Sequence, residues 1–204
     1  MTLFAFFLAC GNPNGLSYSG HSTYDYFGFD GERVWKYQSE DPETTYTLVV
    51  EKTDYLFADG TETVTFEYST EDPQQLLGSV TWSSDTISGT GISGYMVGDE
   101  EVSFDETIIL ATSKMVTGAV TETVTNGVTF TSTMVGEEPC QNNWSADEWE
   151  CLHFILEASE GDYPFLGEYW LANGWGVSIF NVDGGAWRSA EDWVLIGATW
   201  EPEG

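Results

Sequence analysis

Apolar and polar residues alternate along most of this chain with a period of two. From Thr61 the order is Thr-Glu-Thr-Val-Thr-Phe-Glu-Tyr, so Val64, Phe66 and Tyr68 fall on every second position. That spacing sets them on one face of an extended strand, with Thr and Glu on the other. The same alternation runs from Val116 through Thr121-Glu122-Thr123-Val124 and resumes at Val128 and Phe130. Between such runs stand Asp30-Gly31, Asp59-Gly60, Asn126-Gly127 and Asn173-Gly174, with Asp183-Gly184-Gly185 as a further turn. Asx-Gly pairs accept the positive φ of tight hairpin turns, so each predicts two antiparallel strands. The pattern predicts an all-β fold: a single-domain antiparallel meander of about ten to twelve strands, with at most one short helix.

One stretch reads two ways. Ser145 to Glu148 has the spacing of a capping box, and Trp149, Leu152, Ile155 and Leu156 could form a helical stripe. Trp149 to Ala158 is also a near-continuous apolar run of strand length, and Phe154 and Ile155 favour extended backbone. The run predicts a strand over residues 149–158. No segment repeats at the period of a propeller or solenoid, and no Pro-rich linker divides the body.

Charge narrows the partners. Among 204 residues, 34 are Asp or Glu and 5 are Lys or Arg, a formal net charge of -29. Nucleic acid is excluded as a partner, because binding it needs clustered cations to displace counterions from phosphates. An anionic lipid surface is excluded likewise. The longest unbroken acidic run is Asp99-Glu100-Glu101, so the acids are dispersed as on a solvated shell and not gathered in a disordered tail. The chain is 41% hydrophobic and 15% aromatic, enough to build a core.

The first residues, Met1 to Ala9, read MTLFAFFLA and are followed by Cys10 and then Gly-Asn-Pro-Asn-Gly. A short apolar run ending in a small residue has the character of an export signal. Leu8-Ala9-Cys10 resembles the lipobox of bacterial lipoproteins, in which the cysteine takes a diacylglycerol and becomes the new N-terminus. The resemblance implies lipid attachment at Cys10. It divides the chain into residues 1–9 as a truncated signal-peptide-like segment, 10–22 as a flexible tether, and 23–204 as the β domain. Membrane contact is then expected through the anchor alone, since no apolar run approaches the ~20 residues that span a bilayer. The other two cysteines, Cys140 and Cys151, are expected to pair as a disulfide in an oxidising compartment. Zinc is disfavoured, with no Cys-x-x-Cys and only His21 and His153 in the sequence.

Two stretches resemble a family. Tyr26-Phe-Gly-Phe-Asp-Gly31, continuing to Trp35-Lys-Tyr37, and Glu168-Tyr169-Trp170-Leu-Ala172-Asn-Gly174-Trp175-Gly176-Val177 are similar to motifs of β-rich bacterial lipoproteins of unknown function. In this chain Gly28 stands where that family usually has proline, and Trp175 replaces a smaller apolar residue. The resemblance implies a curved antiparallel sheet like the half-barrel of periplasmic lipoprotein carriers, and no catalytic residues.

The chemistry-bearing residues do not assemble into a signature. Ser93 lies in Gly91-Ile-Ser-Gly94, not a nucleophile elbow, and neither a phosphate loop nor a dinucleotide fingerprint occurs, so no cofactor is expected. His153, between Leu152 and Phe154, reads as a core histidine. Asn181, Asp183 and Glu191-Asp192 are of calcium-ligand type without the spacing of a calcium loop, and no metal site is assigned. Trp35 and Tyr37 share one strand face and read as core, and Trp170 and Trp175 as packing around a turn. The expected function is therefore an exported, lipid-anchored protein of the bacterial cell envelope. Its role is expected to be non-enzymatic, binding or structural, with a small apolar ligand in the concave face or a protein partner. The alternative is a secreted carbohydrate-binding module or a glycosidase, for which the nine tryptophans and the abundant carboxylates are the materials.

A shell of this charge repels itself until salt screens it. Raising sodium chloride from about 10 mM to about 500 mM, which shortens the Debye length from roughly 30 Å to about 4 Å, is expected to raise the melting temperature. A melting temperature independent of salt would contradict a one-sign shell.

Overall fold

The computed structural model describes residues 26–27, 32–85, 88–112, 116–140, 149–182, 184, 187, 189 and 191–201. Twelve strands succeed one another: β1 (Glu32–Ser39), β2 (Thr47–Ala58), β3 (Thr61–Thr70), β4 (Gln75–Asp85), β5 (Gly89–Val97), β6 (Glu100–Ala111), β7 (Val120–Thr125), β8 (Val128–Cys140), β9 (Trp149–Ala158), β10 (Gly167–Ala172), β11 (Gly176–Val182) and β12 (Trp193–Glu201). They form one antiparallel sheet in the order β6-β5-β4-β3-β2-β1-β12-β11-β10-β9-β8-β7. This is a meander closed once, by β1 pairing with β12 from Glu32↔Glu201 to Ser39↔Trp193. Residues 149–158 are strand, as their apolar run predicts.

The turns follow from the Asx-Gly pairs. Asp59 and Gly60 have φ of 54° and 84°, and Asn126 and Gly127 have 51° and 81°, the paired positive values that a two-residue hairpin loop of the I′ type requires. Asn173-Gly174 turns differently: only Gly174 is positive, at 76°, and Trp175 N–H donates to the Ala172 carbonyl at 3.0 Å. Asp30-Gly31 and the Asp183 end of its turn lie outside the described residues, as do Cys10 and His21.

Alternation decides what faces inward. Leu48, Val50, Val64, Phe66, Val80, Trp82, Ile92 and Ile108 are buried along β2 to β6, and Phe130, Met134, Leu152, Phe154, Leu156, Tyr169, Leu171 and Phe180 along β8 to β11. Trp35 and Tyr37 are buried on the same face of β1, in agreement with the sequence reading. Connecting segments add further rings. Phe165, between β9 and β10, packs on Tyr95, Phe104 and Phe130 at centroid distances of 5.6, 5.8 and 6.2 Å. Trp187, between β11 and β12, stacks on Tyr68 at 4.5 Å, and Phe27, ahead of β1, leans on Trp82 at 5.2 Å. Outside, hydroxyls pair across strands, Thr65 with Thr81 at 3.2 Å and Thr63 with Ser83 at 3.4 Å. Among the described residues no Asp or Glu is buried, so their negative charge lies on the shell, as the dispersal of the acids along the sequence suggests.

The two edge strands, β6 and β7, meet without a ladder. Thr125 Oγ1 accepts from the Glu106 N–H at 3.1 Å and Thr123 Oγ1 from the Ile109 N–H at 3.2 Å, while Ser132 Oγ donates to the Leu110 carbonyl at 2.6 Å. Side-chain hydroxyls thus satisfy edge groups that would otherwise invite a foreign strand. β5 approaches β6 so closely that a Cβ on Gly91 would stand 2.1 Å from the Ile108 carbonyl oxygen, a position only glycine can fill.

Two expectations follow. Thr125→Val keeps the shape of this buried side chain and removes its oxygen, so it should lower the unfolding free energy by about 1–2 kcal/mol in urea titration. No loss would mean the seam bond carries nothing. Second, burial holds the Tyr37, Tyr68 and Tyr169 hydroxyls above their ordinary pKa, with the neighbouring Tyr68 adding to the shift at Tyr37 and Tyr169. A tyrosine raised in the folded state contributes stability that is complete below its unfolded value of ~10 and declines as pH climbs through that value toward the folded one. Stability should therefore fall above about pH 10, with the ionisation absorbance of these rings appearing only on unfolding. A full tyrosine titration in the folded protein would contradict their burial.

Candidate functional site

The interior offers little room. The space between Trp35, Tyr37, Phe66, Tyr68, Trp82 and Phe180 is about 30 Å³, whereas pockets that hold small organic ligands run to roughly 300–1,000 Å³. Its polar groups are committed to structure. Tyr37 donates to the Val177 carbonyl at 2.7 Å, Trp35 Nε1 to the Trp175 carbonyl at 2.7 Å, and Tyr169 to the Phe165 carbonyl at 2.5 Å. The first two bonds tie β1 to residues 140 positions away in sequence, the third ties β10 to the segment just before it, and together they hold the filled lumen in one arrangement.

The outer face of β8 to β11 is different. Because Leu152, Phe154 and Leu156 point inward, Cys151 and His153 point outward. The neighbouring register Leu171↔Leu152, Trp170↔His153 and Ala172↔Cys151 stacks β10 on β9 in phase. The result is a second apolar cluster: the Cys140–Cys151 disulfide and Ala172, ringed by Trp149, Trp170, Trp175 and Ile179. Cys140 and Cys151 lie on adjacent strands, with Cα atoms 5.7 Å apart, diagonally placed two residues out of register between the pairs Cys140↔Trp149 and Glu138↔Cys151. Trp149 and Trp175 are nearly parallel, at 4° and 5.7 Å.

His153 sits at the edge of this cluster, not in the core that its neighbours in sequence suggested. Strand parity places it outside, where its ring stacks on Trp170 at 4.2 Å and 14°. Glu168 Oε2 lies 2.9 Å from its Nε2 and makes a hydrogen bond. Glu138 Oε1 lies 3.0 Å from its Nδ1 without making a hydrogen bond to it, and the same oxygen accepts from Trp170 Nε1 at 2.5 Å. The imidazole is about 10% exposed, and the two carboxylates are 42% and 45% exposed. Two carboxylates thus flank a half-buried indole whose ring is locked by a stack on one side and a charge-assisted bond at its edge.

A second feature lies along the β6–β7 seam, a polar cleft of about 460 Å³ walled by Thr61, Ser83, Asp85, Glu106, Glu122 and Thr123. Asp85 is engaged there, accepting from the Ser88 N–H at 2.7 Å and from its hydroxyl at 2.5 Å. Of the residues of calcium-ligand type, Asn181 and Asp192 do come together, but as an amide donating to a carboxylate at 3.0 Å. Among the described residues no three His, Cys, Asp or Glu side chains converge as metal ligands. Ser93 donates to the Thr81 carbonyl at 3.3 Å and has no part in a triad.

The outer cluster is assembled from signals the sequence carries only in part. Parity alone could have put His153 outside. The meeting of Glu138 with Trp170 depends on the β8–β9 register, which shifts between Met134 and Gly136, and nothing local to either residue encodes that.

No protein-family model matches the chain, and no curated protein matches it. Among solved structures, a crystal structure from Parabacteroides distasonis described as a candidate lipoprotein aligns over 88% of this chain and 100% of its own, with a TM-score of 0.45 and 9% identity.

Proposed function

We propose that this chain is an exported lipoprotein, anchored through Cys10, that presents the β-barrel at the cell envelope in a non-enzymatic binding or structural role. The observation that carries the reading is the apolar run closing on Leu8-Ala9-Cys10 ahead of a Gly-Asn-Pro-Asn-Gly stretch. Residues 10–22 then serve as the tether and 23–204 as the displayed domain. The disulfide on the outer face supports the same compartment, since such bonds persist where thiols are not held reduced.

The filled interior supports binding on the outside. An apolar ligand within the sheet would have to displace rings that pack against one another, whereas the outer face of β8 to β11 offers apolar and charged groups together. The net charge of -29 leaves the lipid anchor as the means of membrane contact.

Intact-mass analysis of the protein expressed from its natural gene in an exporting bacterial host tests the anchor. The expected mature chain begins at Cys10 and carries a diacylglycerol, and Cys10→Ser moves the protein from the detergent phase to the aqueous phase. A mature chain starting elsewhere without lipid would end the reading.

A further inference from the structure

The geometry points to the outer patch formed by Trp170, His153, Glu138 and Glu168 as a binding site for an uncharged saccharide. The inference rests on the binding role proposed above and assigns it a site and a ligand class.

A pyranose has an apolar face of C–H bonds and a rim of hydroxyls, each of which donates one hydrogen bond. An aromatic ring fixed in place accepts the first without losing side-chain freedom, and an ionised carboxylate accepts the second more strongly than a neutral oxygen does. Trp170 is held by the His153 stack and by its Nε1 bond to Glu138, so little entropy remains to be lost when a ligand covers it. The bonds that hold it occupy Glu138 Oε1 and Glu168 Oε2. Each carboxylate keeps its other oxygen, and both groups are more than 40% exposed, within reach of a ligand lying on the patch.

Charge selects within the sugars. Two carboxylates at the site, on a chain of net charge -29, disfavour uronates, sialylated glycans and phosphorylated sugars. The larger cleft along the β6–β7 seam is the weaker place for a sugar. It too has hydroxyls and carboxylates, but none of its walls is an aromatic ring on which a pyranose could lie.

Affinity gel electrophoresis of the Cys10→Ser chain tests this. The gels are cast with hydroxyethylcellulose, xylan, mannan or, as an acidic comparison, alginate. Removing the anchor residue makes the outcome independent of lipidation, so a failure here and a failure of the anchor are read in different experiments. The expected result is retarded migration in at least one neutral polysaccharide and none in alginate. Trp170→Ala should weaken that retardation about tenfold or more, the loss typical of an aromatic hot spot. Glu168→Gln keeps size and an acceptor while removing charge, and it should weaken retardation severalfold with the melting temperature and the disulfide intact. That variant separates a lost ligand contact from a lost fold. Unretarded migration in every neutral gel, retardation in alginate alone, or unchanged retardation in both variants would overturn the assignment.

Discussion

Filling the inside of a curled twelve-stranded sheet is the constraint on which the rest of this structure depends. A barrel of about eight strands can be filled by ordinary side chains, and wider ones tend to leave a lumen. Here the width is taken up by rings. Trp35, Tyr37, Phe66, Trp82, Phe130, Phe154, Tyr169 and Phe180 come from the strands, and Phe27, Phe165 and Trp187 enter from the connections. The aromatic content of the chain is therefore first a solution to a volume problem. Interiors packed to this degree resist changes of shape, and a ligand has no place there without rearrangement.

Two consequences reach the surface. The sheet closes without completing its ladder, so threonine hydroxyls of β7 and the Ser132 hydroxyl of β8 reach backbone groups of β6. Among the described residues the buried aromatic rings belong to the interior core, and of the outer-cluster tryptophans Trp149 also packs on that core while Trp170 and Trp175 do not. They gather where the disulfide and Ala172 provide an apolar floor and where Glu138 and Glu168 supply charge. A shell dominated by one sign then governs which partners can approach that patch.

Much of the fold was legible in the sequence, because period-two alternation and Asx-Gly turns are local signals. Asp59-Gly60 and Asn126-Gly127 adopt the turns their chemistry favours, and residues 149–158 form a strand despite a helical stripe, since the apolar run extends over both faces. Asn173-Gly174 departs from the expected turn because Asn173 keeps a negative φ and Gly174 alone is left-handed. The outer patch was not legible. The flanking Leu152 and Phe154 suggest a core position for His153, but neighbouring residues on a strand face opposite ways, and its buried ring lies on the outer face. The contact between Glu138 and Trp170 depends on a register shift in β8 and on pairing across β9, relations that a linear reading does not contain. Likewise the room inside the sheet depends on where Phe165 and Trp187 dock, and their loops carry no periodic signal.

The filled interior is the central claim, and titration with N-phenyl-1-naphthylamine, a fluorophore that brightens in apolar cavities, tests it most directly. The folded protein is predicted to give no saturable rise in fluorescence at neutral pH, since the space of about 30 Å³ between the inner rings is far smaller than the probe. Saturable one-to-one binding that Trp82→Ala or Phe66→Ala alters would contradict the account and return the ligand to the inside of the sheet.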